Sequence, residues 1–218
     1  MKYGLFGSKG RLGREVVNVF SEKKHDLVFE YNIEGISEIS KPELIIDCSL
    51  PQVFDNSLQK ALDNSLPFII AVTGLSNDQL EKLKFASEKI PIIQSFNFSL
   101  GIQVLLKLTA IADTTLSGWD VEISETHHRF KKDKPSGTAK MIASILNEKN
   151  PNISSLRLGN VAGDHTVSFG GLGETLSITH SAVSRRTFAE GILLSSQFIM
   201  NKKTGLFSFT DVVFGEEK

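Results

Sequence analysis

Short apolar runs alternate with longer amphipathic segments through the first hundred residues. Strands that are apolar at every position are typical of a parallel sheet covered on both faces, whereas apolar residues spaced three or four apart indicate helices. We predict strands at Lys2–Phe6, Leu27–Tyr31, Leu44–Asp47, Phe68–Val72 and Ile90–Gln94, and helices at Arg11–Lys24, Gln52–Asp63 and Asn77–Glu88. This βαβαβ order favours a Rossmann-like, doubly wound parallel sheet.

The pattern changes after Asn97. A predicted helix at Leu100–Thr114 leads into residues 119–125, where apolar and polar positions alternate as in a strand with one solvated face. Further strands are predicted at Ser154–Leu158, His165–Phe169 and Glu174–Thr179, and a helix at Phe188–Met200. We therefore predict an α/β protein of two domains: residues 1–98 bind a dinucleotide, and residues 99–218 form an α+β domain with an open mixed sheet for substrate binding and oligomerisation. The last ~30 residues could pack back on the first domain.

Composition narrows the function classes. The 218 residues carry 24 basic and 25 acidic side chains, and a net charge of -1 lacks the basic footprint of a nucleic-acid binder. No run approaches the ~20 apolar residues of a membrane span, and the N-terminal apolar stretch is too short for a signal peptide, so we expect a cytoplasmic protein with no membrane partner. The single Cys48 excludes a disulfide framework and cysteine-rich metal sites.

Three glycines, Gly7, Gly10 and Gly13, lie directly between the first strand and the first helix. Their spacing, G-x-x-G-x-x-G, differs from the usual G-x-G-x-x-G. Without a Cβ the backbone can approach a pyrophosphate, and a helix N-terminus favours its charge. The turn therefore predicts a dinucleotide site, with a purely structural tight turn as the alternative.

The end of the second predicted strand bears on which dinucleotide is used. An acidic residue there usually binds the ribose 2′-OH and disfavours a 2′-phosphate. Either Asn32, at the tip, or Glu30, two residues earlier on the same face, could lie nearest the ribose. If Asn32 does, Lys9 and Arg11 could accept a 2′-phosphate, so we predict that NADPH is used as well as NADH.

Residues 121–140, VEISETHHRFKKDKPSGTAK, hold the densest chemistry. A strand ends at His127 and His128, a basic loop follows, and Ser136 is a candidate N-cap whose next N–H groups would form an anion site. The loop carries four cations against one carboxylate, which favours a carboxylate or dicarboxylate substrate; they are Arg129, Lys131, Lys132 and Lys134 against Asp133.

Histidine and a lysine among other cations suit proton delivery during a hydride reduction. The alternative is a solvated strand end followed by a solvated basic surface. Zinc is disfavoured, and no metal is expected, because adjacent histidines on a strand point to opposite faces. We expect packing or interface roles for His165 and His180, and either an anion contact or a surface role for Arg185 and Arg186.

Residues 125–139, ETHHRFKKDKPSGTA, resemble the signature E-x-H-H-x-x-K-x-D-A-P-S-G-T-A of the dihydrodipicolinate reductases. Other segments resemble that family in the same order along the whole chain: GSKGRLG, IIDCSLP, AVTGL, SFNFSLG, GDHTVSF, GETLSITHSAVSRRTFAEG and GLFSFTDVVFG. The resemblance implies NADH- or NADPH-dependent reduction of 4-hydroxy-tetrahydrodipicolinate, through its dehydrated form, to tetrahydrodipicolinate in lysine and diaminopimelate biosynthesis. It also implies a cytoplasmic homotetramer assembled through the second domain's sheet.

The resemblance implies roles for individual residues. His127 matches the catalytic proton donor or acceptor and Lys131 the proton donor to the substrate, a small cyclic dicarboxylate. Substrate binding is expected from His128, Ser136, Gly137 and Thr138. Cofactor binding is expected from Gly7, Ser8, Lys9, Gly10, Arg11 and Leu12, from Asn32, from Ala71, Val72 and Thr73, and from Ser95, Phe96, Asn97 and Phe98.

The sequence also departs from the family pattern. Asn32 stands where an acidic residue is usual, Lys134 replaces an alanine, and Ala71 and Val72 replace glycine and threonine. Two other function classes remain open from the residues alone. One is a related amino-acid or sugar dehydrogenase on the same fold, and the other is a dinucleotide-binding regulator without turnover.

Overall fold

A computed structural model describes residues 1–147 and 151–215. The chain divides into two compact units, one of Met1–Phe98 with Arg185–Lys218 and one of Ser99–Ser184. The second unit is therefore shorter than the 99–218 span of the predicted second domain, because the C-terminal segment groups with the first unit.

The helices and strands follow in chain order. The first stretch contains β1 (Lys2–Phe6), α1 (Arg11–Glu22), β2 (Asp26–Asn32), β3 (Gly35–Glu38), β4 (Leu44–Asp47), a 3₁₀ turn (Pro51–Val53), α2 (Phe54–Asp63), β5 (Phe68–Ile70), α3 (Asn77–Ser87) and β6 (Pro91–Gln94). The second unit contains α4 (Leu100–Thr115), β7 (Asp120–His127), α5 (Gly137–Ser144), β8 (Asn152–Arg157), β9 (Asp164–Gly170) and β10 (Thr175–Ser181). The chain ends with α6 (Arg186–Ile199), β11 (Gly205–Phe207) and α7 (Phe209–Phe214).

The first unit is built on a seven-stranded sheet of order β11-β6-β5-β4-β1-β2-β3. All neighbours are parallel except the β2–β3 hairpin. Consecutive residues of β4 pack into the hydrophobic cores on opposite faces of the sheet. Leu44 and Ile46 pack on the side of α1 and α6, whereas Ile45 packs on the side of α2 and α3. The predicted doubly wound parallel sheet is confirmed, and its two buried faces explain strands without polar alternation.

Two strands and one helix of this unit were not predicted. All four residues of β3 are exposed, so its sequence GISE lacks an apolar face. The three residues of β11 are too few to show a period, and α7 has only six residues. The second predicted helix is also shorter at its start, because a 3₁₀ turn at Pro51–Val53 precedes α2.

The second unit is built on a four-stranded sheet of order β10-β9-β7-β8. β7 is parallel to β8 and antiparallel to β9, which is antiparallel to β10, so the predicted mixed sheet is confirmed. Its core joins Ile123 and Val167 of the sheet to Leu105 of α4 and Ile142 of α5. Among the described residues, no helix combines the length and the hydrophobicity needed to cross a membrane.

Candidate active site

The glycine turn of the first unit packs backbone against backbone. Gly7 has a φ of +84°, a conformation that favours glycine. A Cβ on Gly7 would lie 2.9 Å from the Cys48 carbonyl oxygen, and a Cβ on Gly13 would collide with the Gly7 carbonyl. The Gly10 N–H donates to that same carbonyl at 2.9 Å. A side chain at Gly7 or Gly13 would therefore push the turn open.

The N-terminus of α1 is free of side-chain caps. Gly10 is the N-cap and makes no side-chain cap hydrogen bond, and the first turn has no acidic residue. The first bond into the helix runs from the Arg14 N–H to the Gly10 carbonyl, at 3.0 Å. The preceding N–H groups point along the positive end of the helix dipole, at the β1/β4 switch point of the sheet. The turn thus has the shape and polarity that a pyrophosphate requires.

Asn32 and Glu30 share one hydrogen-bond network with Ser8. The buried Ser8 hydroxyl donates to Glu30 at 2.6 Å and accepts from the Asn32 amide at 3.1 Å. The Asn32 side-chain oxygen accepts the Glu34 N–H at 2.8 Å, and Lys9 lies 3.6 Å from the Glu34 carboxylate. Asn32 is the last residue of β2, whereas the Glu30 carboxylate is already bonded to Ser8.

The two remaining segments that are predicted to bind the cofactor follow β5 and β6. Val72 and Phe98 are both 2% exposed and belong to the cores of the first unit, so their side chains pack inward. The Ser95 hydroxyl donates to the Asn97 carbonyl at 2.8 Å and holds the turn after β6. Phe96 is 39% exposed. In these segments the backbone and the exposed side chains of Thr73 and Phe96 can face a ligand, whereas the side chains of Val72 and Phe98 cannot.

In the second unit, His127 ends β7 as a buried side chain. Its Nδ1 contacts the carboxylate of Glu125, and its ring meets the His165 ring edge-on at 5.1 Å between centroids. Burial lowers the pKa of His127, and the nearby charge of Lys131 adds to the lowering, although the Glu125 contact opposes both. Near neutral pH this imidazole is therefore mostly uncharged.

Glu125 and Arg157 form a buried ion pair that the sequence reasoning missed. Glu125 is 1% exposed, and two guanidinium nitrogens of Arg157 each lie 3.0 Å from one of its oxygens. Burial alone would favour the neutral acid, but the hydrogen bonds from Arg157 and His127 outweigh it and lower the pKa of Glu125 to about 2. Strand alternation could have found this residue, because Glu125 follows Val121 and Ile123 on the inward positions of β7.

The basic loop after His128 is held in place by contacts to charged side chains. Lys131 pairs with Asp133 at 2.9 Å. Arg157 donates to the backbone carbonyl of Lys131 at 3.3 Å and to that of Asp133 at 2.5 Å. The loop that carries Lys131 is thus tied to β8.

The N-terminus of α5 lies against the same carboxylate. Ser136 is the N-cap, as predicted, and its hydroxyl accepts the Ala139 N–H at 3.1 Å. The Ser136 N–H donates to Glu125 at 3.3 Å, and Ser136 and Thr138 are both buried. The structure therefore gathers His127, the Lys131 loop and the α5 N-terminus around Glu125 and Arg157.

The remaining histidines and arginines have structural contacts. His165 is buried, with its Nε2 3.4 Å from the Ser136 hydroxyl, and the His180 Nε2 lies 3.1 Å from the Ser99 hydroxyl. His128 is also buried, with its ring 6.3 Å from the Phe130 ring. Arg186 pairs with Glu22 and Glu190 at the surface. Among the residues that the structure describes, no group of three or more acidic, histidine or cysteine side chains could hold a metal ion.

Comparison with known proteins matches both halves of the chain to one family. Residues 1–98 match the family model "Dihydrodipicolinate reductase, N-terminus", and residues 101–213 match "Dihydrodipicolinate reductase, C-terminus". A 4-hydroxy-tetrahydrodipicolinate reductase of Thermosipho africanus is 40% identical over 98% of both chains, and one of Caldanaerobacter subterraneus subsp. tengcongensis is 34% identical over 96% of both. The fold is similar to that of a dipicolinate-bound dihydrodipicolinate reductase from Paenisporosarcina sp. TG-14, with a TM-score of 0.75, 24% identity, and coverage of 95% of this chain and 97% of that one.

Proposed function

The chain belongs to the dihydrodipicolinate reductase family, and we propose which of its residues bind the cofactor, bind the substrate and supply the proton in the family's reaction. That reaction is the NADH- or NADPH-dependent reduction of 4-hydroxy-tetrahydrodipicolinate, through its dehydrated form, to tetrahydrodipicolinate in lysine and diaminopimelate biosynthesis. The first unit, residues 1–98 with 185–218, binds the dinucleotide. The second unit, residues 99–184, binds the substrate and supplies the proton.

The turn from Gly7 to Leu12 holds the pyrophosphate of the cofactor. Its support is the uncapped N-terminus of α1 and the backbone cradle that a Cβ on Gly7 or Gly13 would fill. Residues 71–73 and 95–98 approach the nicotinamide side through their backbone and through Phe96. When bound, NADH or NADPH supplies the hydride that adds to C4 of the unsaturated ring.

Lys131 and His127 transfer the proton that completes the reduction. The lowered pKa of His127 leaves the imidazole mostly neutral, so Lys131, which pairs with Asp133, is the cationic donor and His127 accepts or relays a proton. The single observation that carries this assignment is the shared setting of His127 and the Lys131 loop around one buried ion pair.

The α5 N-terminus anchors a carboxylate of the small cyclic dicarboxylate substrate. Gly137 and Thr138 open the helix, where the N–H groups of the first turn and the helix dipole favour an anion. Ser136 shapes this end as its N-cap, and the buried His128 beside the strand end adds a second polar contact for the substrate.

Both nicotinamide cofactors are accepted with comparable efficiency. The uncharged Asn32 ends β2, and the Glu30 carboxylate is bonded to Ser8, so a 2′-phosphate would meet an amide instead of a free carboxylate. A ratio of kcat/KM for NADH over NADPH beyond about 100 would contradict this assignment.

The enzyme assembles as a cytoplasmic homotetramer through the sheet of its second unit. On one face of this sheet, hydroxyl pairs bridge neighbouring strands, Thr166 with Thr179 and Ser168 with Ser177, and Leu156 is 44% exposed. Light scattering should give four times the 24.0 kDa chain mass, and a monomer mass would contradict it. Fractionation of the native host should recover the protein with cytoplasmic markers.

The reaction is tested by a coupled assay. Pyruvate, aspartate semialdehyde and the upstream synthase generate the substrate, and the loss of absorbance is followed with NADH and NADPH separately. Oxidation that depends on all three components supports the reaction. Reduction of NAD⁺ or NADP⁺ by an amino acid or a sugar would indicate a related dehydrogenase, and cofactor binding without turnover in either direction would indicate a regulator.

A further inference from the structure

The buried carboxylate of Glu125 contacts three separate segments of the second unit. One oxygen meets the His127 Nδ1, and the other accepts the Ser136 N–H at 3.3 Å. Both oxygens receive hydrogen bonds from Arg157 at 3.0 Å. Arg157 in turn donates to the carbonyls of Lys131 and Asp133. The ion pair therefore connects every segment to which the proposed function assigns a proton or a substrate carboxylate.

We propose that Glu125 and Arg157 form a positioning pair: they keep the His127 proton on Nδ1, leave Nε2 to exchange a proton with the substrate, and hold the Lys131 loop and the α5 N-terminus in place around it. The proposal rests on the proposed roles of His127 and Lys131. It adds two residues that are not assigned to substrate or cofactor contact.

The hydrogen-bond chemistry of Glu125 fixes the tautomer of His127. An ionised carboxylate only accepts hydrogen bonds, so the His127 Nδ1 must carry the hydrogen that it shares with Glu125. In the neutral ring Nε2 is then the proton acceptor. A Cβ on Gly163 would lie 3.0 Å from Nε2, so a side chain at this position would crowd that nitrogen.

Arg157 keeps Glu125 in the ionised form that this role needs. A buried carboxylate without a partner would take up a proton. With two guanidinium hydrogen bonds it remains an acceptor throughout the working pH range of an enzyme. Arg157 stands directly opposite His127 in the parallel β7–β8 pair, so the strand register sets its position.

The groups around His127 determine how its charge responds to substitution. They are Glu125 of β7, Lys131 of the loop, Arg157 of β8 and His165 of β9, whose own pKa is lowered to about 3 by burial and by His127, so it stays neutral. Glu125 is the group that favours the charged imidazole, whereas Lys131 and Arg157 disfavour it. Replacing Glu125 with a neutral residue should therefore lower the pKa of His127 further.

The experiment compares Glu125→Gln and Glu125→Asp with wild type by steady-state kinetics across pH. For Glu125→Gln we expect kcat to fall roughly 10- to 100-fold, less than the ~10²–10⁴-fold loss of a group that transfers the proton itself. The pH limb set by His127 should move to lower pH. Glu125→Asp restores the charge and should recover part of kcat and return the limb toward its wild-type position. Glu81→Gln, an exposed glutamate of α3, is the matched control for charge loss.

A second measurement needs no variant at Glu125. Nitrogen-15 spectra of wild type, with His127→Gln used to assign the signal, should show His127 protonated at Nδ1 and not at Nε2. The Nε2–H form would overturn the proposal even if Glu125→Gln did not fold. A folded Glu125→Gln enzyme with kcat within about three-fold of wild type and an unmoved pH limb would also overturn it.

The same series separates this proposal from the proposed function. Full turnover by His127→Gln would contradict the proposed role of His127, and it would therefore also contradict the proposal of a positioning pair. Loss of turnover in His127→Gln together with wild-type behaviour of Glu125→Gln would remove the positioning pair alone. Circular dichroism and thermal melts of each variant establish that the compared proteins are folded.

Discussion

The glycine turn of the first unit and the histidine segment of the second use different groups to create a polar site. The turn uses backbone N–H groups and the absence of side chains at Gly7 and Gly13. The histidine segment uses buried charges, with Glu125 and Arg157 ionised beneath His127. We expect the first site to be sensitive to added volume and indifferent to pH, and the second to be sensitive to charge. The following predictions test that contrast.

The largest effect is expected at Lys131. Lys131→Ala removes the proposed proton donor and should lower kcat by about 10²–10⁴-fold. The melting temperature should barely change, because the partner carboxylate of Asp133 is half exposed. Lys132→Ala removes the neighbouring exposed cation and should change only KM, by a few-fold. An equal loss of kcat in both variants would show that the reaction depends on the overall positive charge of the loop and not on Lys131 as a specific proton donor.

Acid should weaken the second unit through Glu125. Its pKa is lowered from about 4.5 in the unfolded chain to about 2 in the folded one, so its stabilisation is complete above pH 4.5 and is lost as the pH falls from 4.5 toward 2. Urea unfolding of wild type and Glu125→Gln should show wild type more stable by about 3 kcal/mol at pH 7, since the variant leaves Arg157 without its anion. A gap that stays constant down to pH 3 would contradict this account.

Added volume should disable the glycine turn. Gly13→Ala places a methyl group against the Gly7 carbonyl and should cost about 1–3 kcal/mol of stability, despite the better helix propensity of alanine. KM for NADH should rise at least about 10-fold, with no change in the pH profile. Gly173→Ala, where a Cβ would meet no atom within 4 Å, is the matched control. A Gly13→Ala enzyme with wild-type KM would show that the close approach is not needed for binding.

The smallest effect concerns cofactor choice. Asn32→Asp places a carboxylate at the end of β2 and should lower kcat/KM for NADPH about 10-fold relative to NADH, the equivalent of ~1.4 kcal/mol of repulsion. Asn18→Asp, at an exposed position of α1, adds the same charge elsewhere and should leave the ratio unchanged. An unchanged ratio in Asn32→Asp would place the 2′-phosphate away from β2.

Sequence reasoning recovered the elements whose pattern is dictated by burial. The parallel strands of the first unit are mostly apolar and do not alternate, so β1 and β4 were predicted with the bounds observed. The exposed β3 and the short β11 carry no such signal, because backbone pairing with a neighbouring strand specifies them. The sequence left open whether the last ~30 residues pack on the first domain, because the return of α6 depends on long-range packing against α1, which the order of elements does not specify.

The same limit applies to the site. His127, Lys131 and Ser136 were predicted as site residues because they lie in one short segment, and the structure places that segment around one ion pair. Arg157 was missed because it lies 32 residues from Glu125 in sequence, and only the β7–β8 register brings the two together. Phe98 was predicted to contact the cofactor from its position in a matching motif, and because its side chain packs against Phe209 in the core, that contact stays a prediction for its backbone alone.

The division of the first unit into residues 1–98 and 185–218 also has a consequence for synthesis. When residues 99–184 leave the ribosome they can fold as a continuous segment, but the first sheet still lacks β11 beside β6, and α1 still lacks the cover of α6. Its apolar face therefore stays exposed while an entire unit is translated, at ~5–20 residues per second. Nascent chains arrested near residue 184 should accordingly be the forms most prone to aggregate and most readily bound by chaperones.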